Sequence, residues 1–167
     1  ELALMYNSKR AASVESKEAG VCWQLDRDTF NHIVRKAAEK KRERYDLFLS
    51  KVPILSGMDA YERSQIADAL KSESYDDGQT IISEGEVGRK FYILEEGQGV
   101  VMKNGVKVSE YGVGDFFGEL ALITNQPRLA TVKAVGSMKV LTIDKASFHR
   151  LLNVDHLMQE IKGKYSN

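Results

Sequence analysis

Residues 117–132 read FGELALITNQPRLATV. Gly118, Ala121 and Ala130 are small and let the backbone approach a ligand closely. A short helical turn beginning near Gly118 would offer amide N–H groups that no preceding turn satisfies, a setting that suits an anion. Arg128 adds a permanent charge and a planar fork of donors matched to phosphate oxygens. Glu119 is an acceptor only when ionised, so it would repel a phosphate and suits a sugar hydroxyl instead. The set implies a ligand with one phosphate charge and a vicinal hydroxyl, such as a nucleotide. Standing alone, a Glu and an Arg nine residues apart would read as an ion pair on a surface rim.

The pair does not stand alone. The chain opens ELALMYNSKRAASV, and eight of these fourteen positions match residues 119–132 at an offset of 118. The register then holds without a gap. Leu25, Asp26 and Arg27 meet Ile143, Asp144 and Lys145, and Phe30 meets Phe148. Residues 1–34 thus repeat residues 119–152. A long glycine-rich stretch precedes Glu119 and nothing precedes Glu1, so a polypeptide cut inside a first domain is expected. Glu1 and Arg10 are then the remnant of a first site, not expected to form a competent one.

Upstream of the cassette the texture is β-like. Residues 75–143 hold ten of the thirteen glycines. Between them lie short apolar runs: 80–82, 91–94, 100–102, 106–108, 129–135 and 139–143. Short β runs with frequent turn residues predict a mostly β fold with flanking helices, an antiparallel β-barrel or jelly roll. Asn104-Gly105 is a tight hairpin signal. Before it, Phe30, Ile33, Val34, Ala37, Ala38, Tyr45, Phe48 and Leu49 recur at helical spacing, predicting an amphipathic helix from Asp26 to about Ser50. Asp26 or Asp28 can cap it, and Pro53 ends the segment. Its outer face carries Arg35, Lys36, Lys40, Lys41, Arg42 and Arg44, which is either a solvated face or a partner surface. A second helix is predicted from Asp59 to Lys71. After residue 143, further helices are expected around Phe148, Leu151 and Leu152 and around Val154 to Tyr165.

Composition narrows the classes. Lys plus Arg and Asp plus Glu each count 24, giving zero net charge. That argues against a nucleic-acid polymer or an anionic membrane as partner. Hydrophobic residues at 43% and charged residues at 29% describe a folding chain. No apolar run reaches membrane-spanning length, and the opening residues lack a signal-peptide layout. Cys22 is the single cysteine, which fits a reducing, cytoplasmic setting.

The stretch Phe117–Val132 resembles the phosphate-binding cassette of cyclic nucleotide-binding domains. Gly78, Gly85, Gly88, Phe91-Tyr92-Ile93-Leu94 and Gly97 resemble the same family's barrel. The likeness covers residues 54–165, and residues 1–34 match the tail of a second copy. It implies three parts: 1–34 as the C-terminal remnant of a first domain, 35–53 as a helical linker, and 54–167 as a complete second domain. Two copies joined by a basic helix and LFLSKVPIL (residues 47–55) resemble the tandem members of the family that regulate kinases. That implies a cAMP-binding module that inhibits a protein kinase catalytic subunit and releases it when cAMP binds. It also implies a full-length protein that dimerises through a region absent here. The cAMP site implied is Gly118, Glu119, Leu120, Ala121, Arg128, Leu129 and Ala130, with Tyr165 as base cap. Glu119 would bond the ribose 2′-hydroxyl and Arg128 the cyclic phosphate. No metal or further cofactor is implied. Tyr61 stands where a first-site cap can sit, with plain helix packing as the alternative.

Two positions depart from the family pattern. Leu129 replaces a usual alanine; cGMP-selective relatives often carry threonine there, so the missing hydroxyl favours cAMP. Lys9 replaces the usual proline of the first copy. A cGMP-binding segment of a cGMP-dependent kinase is the nearest alternative. An enzyme is not expected: His32, His149 and His156 all fall in predicted helices, Cys22 lies outside the barrel, and no catalytic set stands out. A DNA-binding regulator would need a recognition helix after the barrel, for which residues 144–167 leave room only for a capping helix. Lys9 to Ser13 also reads as a kinase substrate site, though the repeat accounts for it as cassette.

Overall fold

The computed structural model describes residues 9–10, 12–152 and 161. The chain divides into two units, Glu1–Glu43 and Arg44–Asn167. In the first, Val14, Val21 and Trp23 are exposed along a segment without regular secondary structure. Helix α1 (Arg27–Leu49) follows. Asp26 caps it: the Thr29 amide and hydroxyl donate to its carboxylate at 2.9 and 2.6 Å. Those bonds, the hydroxyl one foremost, hold the Asp26 carboxyl below its ordinary value. Of the predicted apolar stripe only Tyr45 and Leu49 are buried, whereas Ile33 and Val34 are exposed.

The second unit contains everything that positions the cassette. A 3-10 turn (Pro53–Leu55) succeeds α1, and helix α2 runs Ala60–Ala69. A capping box starts α2, with the Glu62 amide donating to Asp59 and the Asp59 amide donating to Glu62. The helix stops short of the predicted Lys71, which opens strand β1 (Lys71–Tyr75). The polar KSESY run carries no apolar signal, so sequence periodicity passes over it; pairing with β6 makes it a strand. Then come β2 (Thr80–Ile82), β3 (Lys90–Lys103), β4 (Val106–Tyr111), β5 (Phe116–Phe117), helix α3 (Glu119–Thr124), β6 (Thr131–Asp144) and helix α4 (Lys145–Leu151).

All six strands join one antiparallel sheet ordered β1-β6-β3-β4, with β2 also on β6 and β5 also on β3. The runs 91–94 and 100–102, expected as separate strands, are one strand, and 129–135 and 139–143 merge into β6 except for Leu129 and Ala130, which precede it. The glycines between them mark irregular register, not turns. Gly97 shows why: at φ +90° a Cβ would stand 2.3 Å from the Ser137 carbonyl oxygen. Asn104-Gly105 does turn the β3–β4 hairpin.

Alternate residues of the central strands serve two cores. Phe91, Ile93, Leu141 and Ile143 pack with Leu49, Leu55, Ile66, Phe148 and Ile161 on the helical side. Tyr92, Leu94, Val140, Met138 and Val132 pack inside with Ile81, Ile82 and Phe117. Burial on both faces explains why FYIL is continuously apolar and shows no period-2 pattern.

Candidate functional site

Strand β5 delivers Gly118, which sits at φ +87° and opens α3 with no side-chain cap. The chain then crosses Pro127 to Arg128 and returns into β6. Two backbone bonds tie this return to the β2–β3 loop: the Gly85 amide donates to the Arg128 carbonyl, and the Arg128 amide donates to the Glu86 carbonyl, both at 2.8 Å. The cassette is thus fixed at both ends by the sheet.

Glu119 is wholly buried and Arg128 is 4% exposed. Arg128 Nη1 donates to the Gly118 carbonyl at 2.5 Å, and Nη2 donates to the Lys90 carbonyl at 2.7 Å. Its Nε is buried and meets no hydrogen-bond partner among the described residues. The guanidinium carbon lies 5.7 Å from the Tyr92 ring centroid. Burial lowers the Arg128 pKa from its ordinary value, opposed by the Tyr92, Glu86 and Glu119 charges. The cation is therefore partly desolvated, which strengthens its attraction for an arriving anion. Two glycines make the room. A Cβ on Gly118 would stand 2.5 Å from Arg128 Nη1, and one on Gly88 would stand 2.7 Å from the Ala121 Cβ.

Lys90 is itself anchored. Its Nζ lies 2.5 Å from Glu73 Oε1, while Tyr75 and Thr142 hydroxyls donate to the same carboxylate at 2.9 and 3.1 Å. Burial works to raise Glu73, but the bonds from Lys90 and Tyr75 bring its pKa below the ordinary value. Burial and the Glu73 carboxylate push the Tyr75 hydroxyl well up. This cluster braces the β3 segment whose carbonyl receives Arg128.

Gly118, Glu119, Leu120, Ala121, Arg128, Leu129 and Ala130 line one cavity of about 720 Å³. All seven cassette residues singled out in the sequence therefore meet in one place. Tyr165 and Glu1 lie outside the described residues. Arg10 is exposed, unlike its repeat partner Arg128. Tyr61 is 71% exposed on α2 and does not pack into the helix interface. The rest of the wall was not foreseen: Ile82, Val101, Lys103, Val108, Ser109, Tyr111, Phe117, Val132 and Ile161 also line the cavity. These come from segments scattered along the sequence, and no local pattern marked them as one wall. The arrangement can hold an anion at Arg128, accept from a hydroxyl at Glu119, and enclose a flat apolar group between the hairpin wall and Leu129.

Residues 72–155 match the model of the family described as cyclic nucleotide-binding domain. A cAMP-dependent protein kinase regulatory subunit of Blastocladiella emersonii is 45% identical over 157 residues, 91% of this chain and 39% of that protein. The chain thus spans about two fifths of that curated relative. The co-crystal structure of the regulatory domain of Toxoplasma gondii PKA with cAMP superposes with a TM-score of 0.75 at 48% identity, covering 98% of this chain and 66% of that one. A structure of PKAR CBD2 bound to Sp-2Cl-cAMPS gives a TM-score of 0.72 at 46% identity, covering 77% of this chain and 90% of that one.

Proposed function

The chain belongs to the cyclic nucleotide-binding domain family, and from that premise we propose that it is a cAMP-binding regulatory module of a protein kinase. The observation that carries this reading is the convergence of buried Glu119 and Arg128 on one cavity with the glycine-cleared backbone of α3. Arg128 meets the cyclic phosphate, with Gly118 and Ala121 amides beside it. Glu119 accepts from the ribose 2′-hydroxyl, and Tyr165 covers the base. The relatives named for cAMP favour this nucleotide over a cGMP-dependent kinase. Binding is the whole of the chemistry assigned; no catalytic step belongs to the reading.

The ligand acts as a switch. It can shift a conformational equilibrium only through its differential affinity for two states. The rigid part is the sheet and cassette; the moving parts are the helices that follow and precede it. A kinase catalytic subunit bound to the ligand-free helix arrangement is then released. No described helix is long and apolar enough to cross a membrane, and a cytoplasmic, dimeric full-length protein belongs to the same proposal.

The domain division is part of it as well: 1–34 as the end of a first domain, 35–53 as linker, 54–167 as the second domain. Burial supports this. Trp23 is 100% exposed, whereas its repeat partner Leu141 is 0% exposed, and exposed Val14 likewise answers to buried Val132. Residues patterned as a core strand but lying bare fit a strand whose own barrel is elsewhere.

Calorimetric titration with cAMP tests the reading. One site per chain is expected. Arg128→Ala removes the phosphate's partner and should weaken binding by about 2–5 kcal/mol. Unchanged affinity in that variant would overturn the site assignment.

A further inference from the structure

Of the residues lining the cavity, three carry charge: Lys103, Glu119 and Arg128. The last two are buried in the cassette. Lys103 is not: on β3 it follows Met102, which pairs with Thr131, so it stands beside the Leu129–Ala130 return. On β3 it stands two residues beyond Val101, so both side chains leave the same face of the strand. Val101 is buried in the inner core and Lys103 reaches the rim beside the hairpin turn. The facing strand is bulged here: Val101 pairs with Ser109 and Met102 with Lys107, leaving Val108 as the extra residue. Val108 and Ser109 consequently both line the cavity. Lys103 forms no ion pair among the described residues, and its flexible stem leaves the ammonium able to swing over the cavity.

We propose that Lys103 reads the base edge and gives 6-oxopurines a foothold in this site. The inference rests on the cyclic-nucleotide reading above. With phosphate on Arg128 and ribose on Glu119, the base extends from the cassette toward the β3–β4 wall, where Lys103 is the charged donor. An ammonium donates and cannot accept. Guanine and hypoxanthine present O6 and N7, two adjacent acceptors; adenine presents N7 beside an amino donor that an ammonium does not tolerate. Lys103 thus favours cGMP and cIMP, opposing Leu129, which offers guanine no hydroxyl. The selectivity for cAMP is the balance of two residues that line the same cavity.

The test titrates the wild-type chain, Lys103→Met and Lys103→Arg with cAMP, cIMP and cGMP. Methionine keeps an apolar stem and removes the charge, and the position is exposed, so folding is not at stake. In Lys103→Met the affinities for cIMP and cGMP should fall about tenfold while cAMP changes less than about threefold; Lys103→Arg should retain the 6-oxopurines. Equal losses for all three nucleotides would mean that Lys103 merely attracts phosphate, and no change in any would mean that it does not reach the base. Either result overturns the proposal while cAMP binding by the wild type leaves the functional reading standing. A wild-type chain that binds no cyclic nucleotide sinks both.

Discussion

Replacing Gly118 by alanine probes the cassette at its tightest point. Gly118 sits at φ +87°, where a side chain costs about 1–3 kcal/mol of backbone strain. A second penalty comes from contact. The new Cβ would stand 2.5 Å from Arg128 Nη1 and 3.2 Å from the Lys90 carbonyl oxygen. The carbonyl is backbone in a central strand and cannot yield, so the guanidinium must. Moving it breaks the bond to the Gly118 carbonyl, a charge-assisted bond contributing about 1.5–3 kcal/mol in such settings. Gly114 separates the two effects, since it sits at φ +90° with nothing within 4 Å of its Cβ position. Gly114→Ala should show the backbone cost alone. Gly118→Ala should lose roughly 1.5–3 kcal/mol more in urea denaturation and should also bind cAMP at least about tenfold more weakly, because the displaced Arg128 no longer faces the phosphate. Equal stability losses in the two variants, with cAMP affinity intact in both, would refute the claim that glycine is required by the approach of Arg128.

Other consequences follow from single groups. Glu73 has a folded-state pKa below its ordinary 4.5, so its contribution to stability is fully present above the unfolded value and fades as pH falls through the lower folded one. Stability curves of the wild type and Glu73→Gln should therefore differ at neutral pH and converge as pH falls from 4.5 through the lower folded value in acid titrations; parallel curves would deny the coupling. Phe148 is fully buried with its ring 5.3 Å from Phe91, so Phe148→Ala should cost about 3–5 kcal/mol by urea denaturation. In calorimetry, 2′-deoxy-cAMP should bind about tenfold or more weakly than cAMP, since the ribose hydroxyl that Glu119 would accept from is gone; equal binding would remove its role.

The cassette was legible because its chemistry is local. Gly118, Glu119, Ala121, Arg128 and Ala130 fall within thirteen residues, and a turn, a charge and a carboxylate at that spacing already imply their ligand class. The repeat with residues 1–14 strengthened the reading without any fold. Helix boundaries near Asp26 and Asp59 were legible for the same reason, since a cap is a bond within one turn. Strand boundaries were not. Gly97 and Gly136 look like turn residues in sequence, but whether a glycine ends a strand or bends it depends on what lies opposite, here Ser137 across β6.

By itself, then, the sequence determined the β class, the repeat and the set of cassette residues that meet at the cavity, all carried by neighbours along the chain. Tertiary structure alone decided that Lys71–Tyr75 is a strand, that Lys90 lends its carbonyl to Arg128, and that Lys103 and Ser109 complete the cavity wall. Each of those contacts joins residues far apart in sequence, and such contacts exist only once the antiparallel register between β3, β4 and β6 has formed.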